Sequence, residues 1–417
     1  MAQPLLAQHP IHPSTTDGTP LRLVRGDGAR VFDEAGDDWI DFDNARGSVL
    51  LGHGHPSVAE AVGRAARGEY GTTTGWNPSI DSVLDRIQGL CGGQVMGLFR
   101  SGTAGVRAAV SAVRKATGKS IVLSSGYHGF DTMWDPADEI FTPNSGGIID
   151  FYYDLPMLRR LLAEHGDSVA AVVVSVEPIY FGQDWFRRLR EATAPSGVKV
   201  ILDEVKSGLR HRPGLFVDDD VLRPDVWTVS KGLANGYPVC AVGGDPDLLA
   251  PLAEMTFTSF FEPSVLAAAE ETLRLMGTGD IQRGIAENGG RFVEHARDVF
   301  TRNDIPIEVA GSGALFQFVC AGPDVEAEFY TATLEEHFVF FQSDHQAPSA
   351  GLSGDVLEDA CDRFTRVGKK LAHRFTGVPI TQKARYIGAW WEMCGLMDVP
   401  RSPEETAKWA QLLISEA

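Results

Sequence analysis

Basic residues, paired cysteines and long apolar runs are scarce in this sequence, and each shortage excludes a class of protein. The 417 residues include 37 Lys and Arg against 56 Asp and Glu, a formal net charge of −19. Nucleic acids and anionic membranes are excluded as partners because both require a basic face. The five cysteines are scattered and form no CxxC pair, so neither a disulfide framework nor a bound metal is predicted. Without a signal peptide or an apolar run of ~18 residues, we expect a soluble cytoplasmic protein.

Apolar runs and glycine are what the sequence does offer. The 45 glycines exceed the usual ~7% and indicate many tight turns or close backbone approaches. Five β-rich runs recur between about residues 120 and 244: SIVLSSG, AAVVVSVEP, VKVILDEV, DVWTVSKG and PVCAVGGD. Most are continuously hydrophobic, as is typical of parallel strands covered by helices on both faces. Because helical stretches separate several of them, we predict a doubly wound α/β fold with a mostly parallel sheet.

The domain organisation follows from the length and from where these runs lie. A chain of this length exceeds the size at which a single core usually stops growing, which predicts two lobes. We expect a large domain over residues 56–280, and a smaller α+β domain formed by residues 1–55 and 281–417. The segment from Asp131 to Asp150 is rich in Pro, Asn and Gly and is predicted to be a functional loop.

Three patterns at predicted helix and strand ends point to chemistry. In RSGTAGVRAAV, a Ser-Gly-Thr turn precedes an amphipathic helix, where backbone N–H groups and the helix dipole favour a phosphate, although the pattern alone also suits an ordinary N-cap. Asp203 ends a strand, where a carboxylate can ligate a metal, act as a base or pair with a protonated ring nitrogen. Lys231 follows another strand, where a lysine can act as a nucleophile and proton carrier. Pyridoxal phosphate requires this combination.

The chain resembles the fold-type I, class III aminotransferases, in the branch that contains glutamate-semialdehyde aminomutase. The matching stretches are LGHGHP, SGTAG, GYHG, VEP, LDEV, SKGLANGYPV and TFTSFFEPSVLAAAEETL, which together cover most of the chain. The resemblance implies an enzyme, a transaminase, with pyridoxal 5'-phosphate as its cofactor. It also implies a large doubly wound domain that binds the cofactor and a smaller domain contributed by both termini.

Site residues are carried over from this resemblance position by position. Lys231 is implied to be the Schiff-base lysine and Asp203 the partner of the pyridine nitrogen, which makes these two the catalytic pair. The implied cofactor-binding residues are Ser101, Gly102, Thr103, Tyr127, Glu177, Asp203, Val205, Lys231 and Thr258. Thr258 matches a threonine that reaches the phosphate of the neighbouring subunit, so a homodimer with shared active sites is implied. His128 is interpreted as support for its loop.

Several positions depart from the common class III pattern. Lys206 stands where relatives often have glutamine, and Ala104 stands where they often carry an acidic residue. Lys206 therefore competes with Lys231 for the catalytic role, although the register of the motif favours Lys231. The VAGSGALFQF segment lacks the arginine that many relatives use to hold the carboxylate of the amino donor, which leaves the donor's identity open.

Three features resemble one subgroup, the aminotransferases of aminoglycoside antibiotic biosynthesis that act on a sugar 6'-aldehyde: WIDFDNARGSVLLGHG, FTSFFEP and ARYIGAWWEMCGLM. We therefore expect two small-molecule substrates, an amino donor such as glutamate or glutamine and a 6'-oxo aminoglycoside. The negative charge favours a polycationic sugar. Candidate substrate contacts are Asp43, Arg46, Trp76 and Glu262.

Two alternatives stay open at this point. The first is an aminomutase or epimerase of the same branch, acting on an amino sugar or on glutamate semialdehyde with the same lysine. The second belongs to another class, a non-catalytic regulator that binds pyridoxal phosphate. Regulators of this kind carry an added DNA-binding region, and no basic helix-turn-helix segment is evident in the sequence.

Overall fold

The computed structural model describes residues 13–14, 18–131, 133–134, 147–255, 261–342 and 344–379. Contacts divide the described residues into two compact units. The first contains those up to Pro56 and those from Ile281 onwards, and the second contains those within Ser57–Asp280. The predicted boundaries fell after residues 55 and 280, and the assignment of domains to these ranges stays a prediction. No helix in the described ranges is both long and apolar enough to cross a membrane.

Thirteen strands and eleven helices make up the regular structure of the described ranges. The strands are β1 (Leu23–Asp27), β2 (Arg30–Asp33), β3 (Asp38–Asp41), β4 (Gln94–Phe99), β5 (Ile121–Ser125), β6 (Ile148–Asp150), β7 (Val169–Ser175), β8 (Lys199–Glu204), β9 (Val226–Val229), β10 (Cys240–Gly244), β11 (Ile307–Ser312), β12 (Leu315–Cys320) and β13 (Phe338–Val339). The helices are α1 (Asn44–Gly47), α2 (Pro56–Ala66), α3 (Pro78–Cys91), α4 (Gly102–Thr117), α5 (Leu155–His165), α6 (Gln183–Thr193), α7 (Pro246–Leu249), α8 (Pro263–Met276), α9 (Asp280–Arg302), α10 (Pro323–Glu335) and α11 (Gly354–Leu371). Short 3-10 turns lie at Gly166–Ser168, Ala194–Ser196, Lys231–Leu233 and Ala250–Glu254.

The second unit is built on a seven-stranded sheet in the order β4-β10-β9-β8-β7-β5-β6. Strands β6, β5, β7, β8 and β9 run parallel, whereas β10 is antiparallel to both β9 and β4. Alternate residues of β7 enter different cores: Val172 and Val174 join the cluster of α5 and α6, and Val173 joins the cluster of α4. Because side chains alternate across a strand, helices cover both faces of this sheet. The predicted doubly wound α/β fold is confirmed.

The first unit has a smaller sheet and an aromatic core. Its four strands follow the order β1-β2-β3-β13, with β3 and β13 parallel, and β11 and β12 form a separate hairpin. Phe42, Phe292 and Phe316 pack at its centre, with ring centroids of Phe42 and Phe292 4.4 Å apart. At its edge, Arg363 binds both Asp38 and Asp359, at 2.7 and 3.0 Å.

Two strands of the large sheet differ from the sequence-based expectation. Strand β4, with the sequence QVMGLF, lies upstream of the runs that were interpreted as strands. Strand β6 occupies the end of the segment that was predicted to be a loop from Asp131 to Asp150, so that prediction was wrong for Ile148–Asp150. Both are edge strands, and a short strand whose pairing is supplied by one neighbour leaves a weak pattern in its own residues.

Candidate active site

Asp203 lies where three strands of the large sheet end together. In the register of the sheet it pairs with Ser175 of β7 on one side and with Thr228 of β9 on the other. The side chain is buried, with 4% of the residue exposed. Ligands of such sheets bind beyond the carboxyl ends of the parallel strands, so this buried carboxylate stands at the expected edge.

Both oxygens of Asp203 accept hydrogen bonds from the protein. Nδ1 of His128 lies 2.8 Å from Oδ2, and the backbone N–H of Val205 donates to Oδ1 over 3.1 Å. Thr228 adds its hydroxyl to Oδ1 at 3.4 Å. The His128 side chain is fully buried, its Nε2 has no hydrogen-bond partner among the described residues, and its ring lies 4.6 Å from that of Trp134. Hydrogen bonds of this kind hold the orientation of a buried carboxylate.

Lys231 is tied to the same strand end through its backbone. Its N–H donates to the carbonyl oxygen of Val205 over 3.0 Å, and a single 3-10 turn, Lys231–Leu233, begins at this residue. Lys206 is half-buried like Lys231. Burial does not distinguish the two lysines, and the choice of Lys231 stays a prediction.

Glu204, the neighbour of Asp203, has a structural explanation. It is fully buried and accepts the N–H groups of Phe216 and Val217 at 2.7 and 3.0 Å, together with the hydroxyl of Ser207 at 2.9 Å. Burial, only partly offset by these bonds, raises its pKa to about 7. Both oxygens of its carboxylate therefore hold the loop after β8 through hydrogen bonds.

The start of α4 packs against the end of β8 and against the Gly-Tyr-His-Gly loop. Ser101 is the N-cap, and its hydroxyl accepts the N–H of Ala104 at 3.2 Å. A Cβ on Gly102 would lie 2.6 Å from Cγ1 of Val205, and a Cβ on Gly129 would collide with the side chain of Thr103. These close approaches bring the predicted phosphate turn and the predicted ring-binding residues into one cluster. The turn that Ser101 caps is therefore the same turn that was predicted to bind a phosphate.

Other predicted cofactor residues lie around this cluster. Tyr127 is 45% exposed, and Glu177, which follows β7, is buried and accepts the hydroxyl of Ser175 at 3.0 Å. Thr258, which was expected to reach a neighbouring subunit, lies outside the described residues. No group of three potential ligands among His, Cys, Asp and Glu lies close enough to hold a metal ion in the ranges covered by the structure.

The four candidate substrate residues fall into two groups. Trp76 and Glu262 belong to the second unit: the Trp76 indole is exposed, packs edge-on against Phe261 and donates to Asp81. Glu262 caps α8, accepting the N–H groups of Ser264 and Val265 at 3.0 and 2.9 Å. Burial acts to raise its pKa, but these N–H groups outweigh burial and lower it. Capping of α8 therefore accounts for both oxygens of its carboxylate.

Asp43 and Arg46 belong to the first unit, where Asp43 precedes a turn with left-handed backbone and Arg46 lies within it. The sequence offered only Gly47 as a sign of this turn, since the residues before it are not glycines. His128 was seen only as loop support, and Thr228 was not singled out. In the sequence, Gly126 and Gly129 on either side of His128 were the signal that could have indicated a tightly packed loop.

Comparisons with known proteins agree with this geometry. The family model described as "Aminotransferase class-III" matches residues 12–349. The chain belongs to the class III aminotransferases. It is 32% identical to 2'-deamino-2'-hydroxyneamine transaminase of Streptomyces kanamyceticus over 351 residues, which cover 83% of this chain and 90% of that enzyme. It is 29% identical to glutamate-1-semialdehyde 2,1-aminomutase of Bordetella avium, covering 81% and 87% of the two chains.

Solved structures show the same fold. The FumI protein of Sphingopyxis sp. MTA144, in its pyridoxal phosphate form, superposes with a TM-score of 0.78 at 20% identity, covering 86% of this chain and 91% of that one. An omega-transaminase from Sphaerobacter thermophilus superposes with a TM-score of 0.72 at 22% identity, covering 84% and 91%. This class III aminotransferase is therefore an enzyme with pyridoxal phosphate as its cofactor, and the alternative of a non-catalytic regulator is not supported.

The residues of the second unit fit that cofactor. A buried carboxylate, held by three donors, can pair with a protonated ring nitrogen, and the N-terminus of the sixteen-residue helix α4 can face a phosphate. Gly102 and Gly129 leave no room for a Cβ at the junction of these elements. Lys231 supplies an amine just after β9, the strand next to that of Asp203.

Proposed function

We propose that this class III aminotransferase moves an amino group from glutamate or glutamine to a 6'-oxo aminoglycoside in antibiotic biosynthesis. The observation that carries the proposal is the similarity, over most of both chains, to an enzyme named as a transaminase of a hydroxylated neamine. The net charge of −19 favours the polycationic product of such a reaction as a ligand.

In this proposal the chain's own residues divide the work at the cofactor. Bound pyridoxal phosphate supplies an electron-withdrawing ring and an aldehyde carbon that carries the amino group between the two substrates. Asp203, held in place by His128, pairs with the protonated ring nitrogen. Lys231 holds the cofactor through its amine and then moves a proton to and from the substrate carbon that gains or loses the amino group.

The remaining cofactor residues act by position. Gly102 and Thr103 present the N-terminal N–H groups of α4 to the phosphate, with Ser101 at the cap. Tyr127 covers one face of the ring and Val205 the other. Glu177 borders the site from the end of β7. Glu177 is buried beside Asp203, whereas Ser101 is exposed and Tyr127 keeps 45% of its surface exposed.

We also propose a cytoplasmic homodimer with shared active sites, in which Thr258 of each chain reaches the phosphate held by the other. Trp76 is proposed to contact a sugar ring, because a large exposed aromatic face is what a sugar stacks on. Asp43 and Arg46 are proposed as further substrate contacts. Glu262 is proposed as a contact only through its exposed edge, since both of its oxygens cap α8.

An aminomutase or epimerase is the second candidate, and the similarity to glutamate-1-semialdehyde 2,1-aminomutase favours it. The same Lys231 and Asp203 would serve, but no amino donor would be consumed. The two reactions therefore differ in stoichiometry and not in their catalytic groups.

The test is a panel of substrates offered to the holoenzyme: oxidised aminoglycosides, amino sugars and glutamate semialdehyde. The readout is the visible spectrum of the cofactor, which changes when the cofactor gains or loses the amino group. We expect the amino donor to change the spectrum of the enzyme and the oxidised aminoglycosides to return it to that of the untreated holoenzyme. Activity on glutamate semialdehyde alone would overturn the proposal.

A further inference from the structure

The turn that begins at Asn44 in the first unit is strained. Asn44, Ala45 and Arg46 all have left-handed backbone, with φ of 46°, 51° and 59°. Such a conformation costs about 1–3 kcal/mol at each residue other than glycine and persists only where the surroundings enforce it. Here Asp41 enforces it: its Oδ1 accepts the N–H groups of Asp43 and Asn44 at 2.8 and 2.9 Å, and its Oδ2 lies 2.7 Å from Nε2 of His53.

This turn buries polar atoms that lack hydrogen-bond partners. They are Oδ1 of Asp43, Oδ1 of Asn44 and Nε of Arg46. Asn44 is fully buried, and its NH2 group is committed to the carbonyl oxygens of Asp41 and Ala347 at 2.9 and 3.0 Å. Nε of Arg46 lies 3.7 Å from Oδ1 of Asp43, too far for a hydrogen bond. Two acceptors and one donor within four residues of one turn therefore lack partners, which is costly unless another molecule satisfies them.

The charges around the turn indicate which molecule that is. The guanidinium of Arg46 is already engaged, since it donates to Asp344 at 3.2 Å and lies 3.2 Å above the ring of Phe341. Carboxylates outnumber it, with Asp41, Asp43 and Asp344 all close by. A second carboxylate, such as that of an amino donor, would be repelled here. An ammonium would be attracted, and its three N–H donors match the two unpartnered acceptors.

We infer that this turn binds an ammonium group together with an adjacent hydroxyl, the vicinal amino alcohol of an amino sugar or aminocyclitol. The ammonium donates to Oδ1 of Asp43 and Oδ1 of Asn44, and the hydroxyl oxygen accepts from Nε of Arg46. The side chains of Asp43 and Arg46 keep 17% and 28% of their surface exposed, and the group reaches the turn from this exposed side. The inference rests on the proposed function, because it assigns part of the aminoglycoside to a place on the chain.

The pH dependence of binding supplies an internal check. Burial, with Asp41 adding to it and Arg46 opposing it, raises the pKa of Asp43 to about 6. An ammonium binds the ionised carboxylate, so its affinity should rise as the pH passes upward through about 6. The other charged or titratable groups on the elements packed around Asp43 are Asp41, Arg46, His53, Asp344 and His345.

The experiment is calorimetric titration of the holoenzyme with 2-deoxystreptamine, a cyclitol in which each ammonium lies beside a hydroxyl. Inositol, which has the hydroxyls alone, is the matched ligand. Asp43→Asn is the test variant, and Asp37→Asn, which removes the same charge from an exposed position of the same unit, is its control. We expect binding to the parent enzyme at pH 7.5 that falls at least tenfold in Asp43→Asn, stays within twofold in Asp37→Asn, and is absent for inositol.

Equal affinity in Asp43→Asn and the parent, or no binding to the parent, would overturn the inference. If Asp43→Asn fails to fold, the parent enzyme alone tests the inference. Its affinity for 2-deoxystreptamine must then rise at least fivefold from pH 5 to pH 7.5. Turnover of a 6'-oxo aminoglycoside is measured in parallel. Turnover without Asp43-dependent binding removes only this inference, whereas Asp43-dependent binding without turnover removes only the proposed aminotransferase substrate.

Discussion

Replacement of Asp43 by asparagine should make the protein more stable at neutral pH while it weakens amino-sugar binding. Burial raises the pKa of this carboxyl from its usual 3.8 to about 6. The folded state therefore holds the Asp43 proton more tightly than the unfolded state does. The stability that this group contributes is present below about pH 4 and is lost as the pH rises through about 6. At pH 7.5 the ionised carboxylate is a cost that asparagine removes.

The size of the effect follows from the shift in pKa. Each pKa unit corresponds to about 1.4 kcal/mol, so the ionised carboxylate costs up to about 3 kcal/mol at pH 7.5. We expect Asp43→Asn to gain roughly 2 kcal/mol, or about 2 °C in Tm for a chain of this length. The gain should halve near pH 5 and vanish near pH 4.

Thermal unfolding of the parent, Asp43→Asn and the exposed control Asp37→Asn, followed by calorimetry from pH 4 to pH 7.5, measures this effect. The control should stay within about 0.5 kcal/mol of the parent at every pH. If Asp43→Asn were less stable than the parent at pH 7.5, or if its gain did not depend on pH, the burial of an ionised carboxylate at this turn would be refuted. A stabilised variant that no longer binds the cyclitol is what a functional, strained site predicts.

Three further predictions concern the cofactor site and the first unit. Lys231→Ala should lose the visible absorbance of the bound cofactor while Lys206→Ala retains it, and the reverse pattern would exchange their roles. His128→Phe should weaken pyridoxal phosphate binding at least tenfold in a fluorescence titration and shift the pH profile of the cofactor spectrum; an unchanged affinity and profile would show that this histidine supports only the loop. Arg363→Ala should lower the free energy of unfolding by about 1–3 kcal/mol because Asp38 and Asp359 each lose one of two arginine partners and keep only Arg30, whereas the exposed pair of Arg302 should be worth less than about 0.5 kcal/mol; equal losses would refute the network.

The interior of the large sheet could be predicted from the sequence because its signals are local. Continuous apolar runs correspond to β5, β7, β8 and β9, in which nearly every residue is buried. The Ser-Gly-Thr turn at Ser101 likewise caps the helix that it precedes. Strand β4 lies at the edge of the sheet and contains Gly97, so it lacks such a run. Its strand conformation depends on pairing with β10.

The arrangement of the site depends on contacts that no local pattern contains. His128 and Asp203 are 75 positions apart, and only the order of strands in the sheet brings their side chains together. The left-handed turn at Asn44 is imposed by the carboxylate of Asp41. Asparagine tolerates such a backbone better than most residues, but Ala45 and Arg46 give no sign of it.

The proposed reaction passes an amino group from an amino-acid donor to an oxidised aminoglycoside. The most direct measurement supplies the holoenzyme with glutamate or glutamine labelled with nitrogen-15 at the α-amino group, together with a 6'-oxo aminoglycoside, and analyses the products by mass spectrometry. We expect one labelled nitrogen at carbon 6' of each product molecule and one keto acid per amine formed. An isomerised or epimerised sugar that contains no label, with the donor unconsumed, would contradict it.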